Sequence, residues 1–346
     1  MSTGLLNKQQ TGRCLLLNVQ IKAMGHALPT RVLTNSDLEK MVDTSNDWII
    51  ETTGIIERRI AEDSTSTSDL CYDAAVMALH NAKVKPEQLD LIIVATVTPD
   101  MPFPSTACIV QKRLEAWNAA AFDLAAGCSG FLYALSVAEK FLFTNGYNYV
   151  LVVTSDILSK ITDYTDRNTC VLFGDGAGAA VLGRGNSSGD AGILSTYLTA
   201  DGRGADLLYM PAGGSALPAS EQTVREHLHY LKMNGREVFR FASKAMVEVS
   251  ENLLEKAGLG YQDIDVFIPH QANMRIIKTA MKNMQIAEAK TLITIDKLGN
   301  MSAASIPVAL SMAVSEGKVK PGDVILMVAF GAGLTCAGAI IRWGWN

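Results

Sequence analysis

The feature that most constrains how this chain can fold is that it repeats itself. KVKPEQLDLIIVATV (83–97) resembles GLGYQDIDVFIPHQA (258–272), with Asp90 on Asp265, a shift of 265 − 90 = 175 residues. FLYALSVA matches IPVALSMA with Leu135 on Leu310, and YVLVV matches VILMV with Tyr149 on Val324, both again at 175. FGDGAGAAVLGRG resembles FGAGLTCAGAIIRWG with Phe173 on Phe330, a shift of 157. The drop of 175 − 157 = 18 predicts an extra loop of about that length in the first half, between Val153 and Phe173. One register held over separate segments means two copies of one unit, each alternating helices with buried strands. Such alternation builds mixed sheets covered by helices.

The pattern divides the chain into a loose extension (1–16), a first half (17–190) and a second half (191–346). Ser/Thr/Asn/Asp clusters at 34–37, 44–47 and 65–69 predict capped helices. LDLIIVATV reads as a strand buried on both faces, and Ala120 to Ala126 as another. Glycines in FGDGAG and FGAG suit a close hairpin in each half. A phosphate loop does not fit FGDGAG, because no GK[ST] and no helix follow. The formal charge of −5, without a Lys/Arg run, argues against nucleic acid as a partner. Six cysteines without a CxxC pair suggest neither a zinc site nor a disulfide framework. The apolar run CLLLN is too short for a signal peptide or a membrane span, so the expected location is the cytoplasm.

Within AAFDLAAGCSGFLYALSVAEKFL (120–142), a strand should end at a Gly127 turn, with Cys128 next and Ser129 opening an apolar helix. A thiol there faces the positive end of the helix dipole, which favours the thiolate; a buried structural cysteine is the alternative. The repeat brings equivalent strand ends together around a pseudo-twofold. His270, of the histidines 26, 80, 227, 229 and 270, ends the strand IDVFIP, and Asn300 lies in the turn before AASIPVALSMA. Cys, His and Asn admit two chemistries, a cysteine hydrolase or a thioester-handling carbon–carbon bond former. The papain-like signature around the cysteine is absent, and that fold has no place for the duplication.

GCSGFLYALSVA, IPHQANMRI, GNMSAAS, TDRN followed by FGDGAGAAVL, and TNSDLEKMVDTSNDWI closely resemble the β-ketoacyl-acyl carrier protein synthase III family of condensing enzymes. The likeness runs from about residue 17 to the C-terminus. It implies an α/β thiolase-like fold, two duplicated halves in a five-layered αβαβα sandwich with mixed sheets. It also implies an acyltransferase that joins an acyl-CoA primer, acetyl-CoA foremost, to malonyl-acyl carrier protein with loss of CO2, starting fatty acid synthesis. A related synthase of a secondary pathway, a cysteine thioesterase and a non-enzymatic acyl-binding protein are the alternatives.

Carried over by position, Cys128 would hold the acyl group, while His270 and Asn300 would donate hydrogen bonds to the enolate oxygen. The backbone N–H groups of Cys128 and Ala332 would form the oxyanion hole. FGAG stands for the more usual FGGG, so Ala332 would be strained if its φ were positive. Trp48 and Arg167 would sandwich the coenzyme A adenine, with Arg167 on the inserted loop, and Arg236 and Asn273 would meet pantetheine and phosphate. Thr52 and Ile56 stand where relatives often carry arginines, which implies weaker or rerouted phosphate binding. Arg275, Lys278 and Lys282 share one helix face at i, i+3, i+7 spacing. With Arg240 and Gln271 they would dock the acidic carrier protein. Phe103 would cap the acyl pocket, across the interface of a homodimer. No permanently bound cofactor is implied.

Overall fold

The computed structural model describes residues 18–144, 146–185 and 191–344. The first sheet holds β1 (Val19–Ala27), β2 (Leu91–Ala95), β3 (Ala120–Leu124), β4 (Tyr149–Asp156) and β5 (Gly176–Arg184), in the order β1-β5-β4-β2-β3. The second holds β6 (Gly192–Ala200), β7 (Val266–Pro269), β8 (Val324–Gly331) and β9 (Thr335–Arg342), in the order β7-β8-β9-β6. Both are mixed: β2 pairs in parallel with β3 and β4, and β7 with β8, while the other pairs are antiparallel.

Seven helices matter here: α1 (Asn46–Thr53), α2 (Thr67–Ala82), α3 (Thr106–Leu114), α4 (Gly130–Phe143), α5 (Gly235–Ala257), α6 (Met274–Met284) and α7 (Ser305–Ser315). α4 and α7 are apolar around most of their circumference, and a helix of that kind has to be buried on both sides. Accordingly Phe131 and Leu135 of α4 and Ile306 and Leu310 of α7 share a core with Ile93 and Val152 of one sheet and Ile268 and Met327 of the other. α2 and α3 cover the outer face of the first sheet, through Ala74, Ala78 and Val110. α5 and α6 cover the second, through Met246, Leu253 and Ile277. The result is the αβαβα sandwich of the thiolase-like fold.

The 175-residue register holds in three dimensions. The turns Gly127–Ser129 and Ser302–Ala304, the starts of α4 and α7, and the starts of β4 and β8 all differ by 175. Asp90 Oδ2 accepts from the Tyr149 N–H and Asp265 Oδ2 from the Val324 N–H, so even this anchoring contact is duplicated.

Three expectations need correction. Tyr149 pairs with Gly183 and Val324 with Arg342, so the last strands differ by 342 − 183 = 159, not 157. Residues 157–175 join β4 to β5, whereas only 332–334 join β8 to β9, so the insertion is 19 − 3 = 16 residues. A close hairpin therefore exists in the second half alone. Matching Phe173, which lies in the inserted loop, to Phe330 inside β8 followed the glycine pattern rather than the hydrogen-bond register. The strand expected over 120–126 stops at Leu124 and is half-exposed, because β3 is an edge strand paired only with β2. The 1–16 extension lies outside the described residues. No helix among the described residues is long and apolar enough to cross a membrane.

Candidate active site

Cys128 sits in a one-turn 3-10 segment, Gly127–Ser129, just ahead of α4. Gly127 takes a left-handed φ of +54° to reverse the chain. The approach to the second half is tight here: a Cβ on Gly331 would lie 2.5 Å from the Cys128 nitrogen, and one on Gly127 would lie 2.8 Å from the Ala332 nitrogen. Glycine at 127 and 331 thus lets the Cys128 and Ala332 backbones approach closely, beside a cavity that Cys128 and Gly331 line. Ala332 itself does not take a positive φ; Gly333 does, at +80°, so alanine in FGAG carries no left-handed strain.

The helix dipole is opposed by the surroundings of Cys128, which is itself partly exposed to the cavity. Burial pushes the Cys128 thiol from 9.0 up to about 12, with the Asp156 carboxylate adding to the rise and the Ser302 hydroxyl and the residue's own N–H opposing it. A helix start supplies about 1–2 kcal/mol at most to a neighbouring anion, or about one pKa unit. That does not reverse so large a displacement.

His270 follows the last residue of β7 and is tied to the sheet by its N–H, which donates to the Val328 carbonyl at 2.8 Å. Its ring is buried edge-on against Phe330, 5.3 Å between centroids. Nδ1 lies 2.7 Å from Ser305 Oγ, and Nε2 has no partner. Burial drives the imidazole down to about 3, so it is neutral at physiological pH. Ser305 Oγ also accepts from the Gln271 N–H at 3.4 Å; with the Ser305 hydroxyl proton given to Nδ1, the ring proton lies on Nε2. Nε2 is then a free N–H donor. Asn300 is buried, and its Oδ1 accepts from the Ser302 N–H at 2.9 Å, which fixes the amide so that Nδ2 is its free end.

Cys128, His270, Asn300 and Phe330 line one cavity of about 420 Å³, together with Trp48, Arg236 and Asn273. The Arg167 guanidinium already lies over the Trp48 ring, 4.4 Å from its centroid, so a third planar group requires Arg167 to move off the ring. Asn273 caps α6 through the Arg275 N–H, and its Nδ2 donates to the Thr52 carbonyl. The Thr52 hydroxyl is turned back onto the Trp48 carbonyl. Ile56 is half-exposed and lies off the cavity lining.

Of the expected docking set, Arg275, Lys278 and Lys282 are exposed on α6, and Arg240 is exposed on α5 but paired with Glu237 at 3.2 Å. Gln271 is a correction. It is fully buried, donating to the carbonyls of Pro269 and Leu292 and accepting from the N–H groups of Thr294 and Ile295, so it holds the site's backbone and reaches no partner. Phe103 is 83% exposed and does not line the cavity of its own chain. Sequence reasoning missed Ser305, Ser302 and Asp156. For Ser302 a signal was present, since the 175-residue register sets it opposite Gly127.

Residues 122–202 match the family model described as 3-oxoacyl-[acyl-carrier-protein] synthase III, and residues 254–343 match its C-terminal model. Two curated relatives carry the name beta-ketoacyl-[acyl-carrier-protein] synthase III. That from Syntrophomonas wolfei is 64% identical, covering 95% of this chain and 98% of the relative. That from Caldanaerobacter subterraneus is 56% identical, covering 95% and 99%. The crystal structure of 3-oxoacyl-[acyl-carrier-protein] synthase III from Aquifex aeolicus superposes with a TM-score of 0.86 at 46% identity, covering 94% of this chain and 100% of that one.

Proposed function

Because the chain belongs to the β-ketoacyl-acyl carrier protein synthase III family, we propose that its cavity divides one condensation between a nucleophile, Cys128, and a pair of donors, His270 and Asn300. The protein is an acyltransferase that condenses an acyl-CoA with malonyl-acyl carrier protein at the start of fatty acid synthesis. Acetyl-CoA is the proposed primer. Cys128 sulfur bonds to the acyl carbon, the carbon–sulfur bond to coenzyme A breaks, and the acyl group is held as a thioester. Malonyl-acyl carrier protein then loses CO2, and the electron pair moves onto its thioester oxygen. The Nε2–H of His270 and the Nδ2–H of Asn300 stabilise that oxygen with dipoles fixed beforehand. The enolate carbon attacks the acyl-Cys128 carbonyl, whose oxygen faces the N–H groups of Cys128 and Ala332, and collapse expels the Cys128 sulfur.

The observation that carries this reading is the unpartnered Nε2 of a neutral, buried His270 in the cavity that also holds Cys128 and Asn300. Trp48, Arg167 and Arg236 would take coenzyme A, and Arg275, Lys278 and Lys282 the acidic carrier protein, whose encounter such rim charges steer. Phe103, exposed in its own chain, would serve the acyl pocket of a second copy in a homodimer. The chemistry needs no resident cofactor and is placed in the cytoplasm. Incubation with labelled acetyl-CoA and then malonyl-acyl carrier protein should give stable label on Cys128 and then a ketoacyl product. Release of free acetate alone would refute the reading.

A further inference from the structure

Ser302 is out of place in its turn. It is the repeat mate of Gly127 (302 − 127 = 175), and both hold left-handed backbone, φ +54° at Gly127 and +49° at Ser302. For a residue with a side chain this costs about 1–2 kcal/mol, and such strain is retained where the side chain has a use. The Ser302 N–H is committed to Asn300. Among the described residues no hydrogen bond from its hydroxyl is formed in the resting geometry, yet it lies close enough to the Cys128 thiol and the Asp156 carboxylate to lower the proton affinity of each. The turn carrying it packs against both the Cys128 turn and β4, which ends at Asp156.

Asp156 is fully buried, and among the described residues no cation pairs with it. Its Oδ1 accepts from Thr96 Oγ1 at 2.9 Å, the Val97 N–H at 2.7 Å, and the Thr98 N–H and Oγ1, each at 3.3 Å. Those bonds organise the loop after β2, and they use one oxygen. Oδ2 is buried and has no hydrogen-bond partner among the described residues. The frame does not demand a carboxylate here either, since the repeat mate of Asp156 is Gly331 (331 − 156 = 175). Cys71 and Cys128 are the ionisable groups that feel Asp156. Meanwhile Cys128 must shed a proton to be acylated, and a His270 that carries its proton on Nε2 offers the thiol no lone pair.

We propose that Ser302 and Asp156 take the Cys128 proton: Ser302 accepts it from Sγ while passing its own hydroxyl proton to Asp156 Oδ2. This rests on the condensing reading given above. Acylation then ends with acyl-Cys128, a neutral Asp156 and a coenzyme A thiolate that solvent protonates. When condensation expels Cys128 as a thiolate, the same two shifts run backwards, and the thiol and the Asp156 carboxylate are restored. Ser302, which takes the proton from the reacting sulfur, is a catalytic residue in this scheme, and Asp156 is a positioning residue acting through it. Burial supports the assignment, because it raises the affinity of Asp156 for a proton.

Asp156→Asn and Ser302→Gly test it, the second suited to a left-handed position. The first readout is the rate at which iodoacetamide alkylates Cys128 at pH 7, which needs neither substrate. Coulomb's law gives a sharp sign. An Asp156 that were only a neighbouring anion would hold the thiol up, so Asn would speed alkylation; as proton acceptor its loss slows it. We expect at least a ten-fold fall in both variants. Acetyl transfer from acetyl-CoA should fall at least ten times more than malonyl-acyl carrier protein decarboxylation, with the melting temperature retained. Alkylation unchanged or faster in Asp156→Asn, or acylation and decarboxylation falling together, would overturn the proposal. Slowed alkylation in a protein that proves not to condense would leave the relay standing and remove the condensing reading instead.

Discussion

Ser305→Ala should separate the two half-reactions. The Ser305 hydroxyl and the His270 ring are both buried, and 2.7 Å separates Oγ from Nδ1. Truncation strands the buried Nδ1 without its partner and frees the ring to hold its proton on either nitrogen. An unsatisfied buried polar atom costs about 1–3 kcal/mol. If the loss is felt where the enolate forms, that is a fall of about 5- to 150-fold in rate at 1.36 kcal/mol per decade. The assay is release of labelled CO2 from malonyl-acyl carrier protein, run beside acetyl transfer to Cys128. Decarboxylation should drop by that factor, acetyl transfer should change far less, and Ser305→Thr, which restores a hydroxyl, should recover most of the loss. Undiminished CO2 release from a folded Ser305→Ala protein would refute the tautomer argument. The pH dependence supplies a second check. His270 is held at about 3 against an ordinary 6.5, so decarboxylation should cross pH 6.5 without an imidazole limb. The unfolded chain takes up this proton below 6.5 and the folded one does not. Stability from this group is therefore present above 6.5 and lost as pH falls towards 3, by at most about 1.4 kcal/mol per unit.

Trp48→Ala removes the ring under Arg167; with stacking worth about 1–3 kcal/mol, KM for acetyl-CoA should rise about ten-fold or more while kcat holds. Arg275→Glu should raise KM for malonyl-acyl carrier protein several-fold and spare acyl-CoA loading, with an effect that fades at high salt as an exposed charge requires. Gly331→Ala drives a Cβ to 2.5 Å from the Cys128 nitrogen; both groups are held by backbone, so acylation should fall at least ten-fold and the melting temperature should drop, consistent with about 1–3 kcal/mol of overpacking.

Most of the fold was legible because duplication is a statement about register, and register is what positions a thiolase-like sandwich. The constant 175 placed α4 opposite α7 and β4 opposite β8, which brings His270 and Asn300 to Cys128 before any contact is known. Where the reading slipped, it relied on residue type in place of register. Glycines drew Phe173 onto Phe330, although only strand pairing sets the true shift of 159. Gln271 looked like a surface polar residue beside His270, yet its amide closes four backbone groups inside the protein. Phe103 reads as a pocket residue only if a second copy is present.

The departures from the repeat carry the chemistry. Each half supplies the same strand ends, the same helix starts and the same anchoring aspartate, so the frame could have housed two equal sites. At the paired positions it holds unlike residues: Gly127 faces Ser302, Gly130 faces Ser305, Asp156 faces Gly331, and Ala95 faces His270. At three of these pairs a small residue of the first half stands against a hydroxyl or imidazole of the second; at the fourth the order reverses, with Asp156 against Gly331. Folding needs the symmetric part, which recurs and is read by alignment of the chain with itself. One asymmetric site needs the mismatches, and each mismatch at a buried, left-handed or close-packed position costs stability that the frame alone would not spend. Positions where a duplicated chain breaks its own register rule at such cost are therefore where its function should be sought, and Ser302 is the clearest of them.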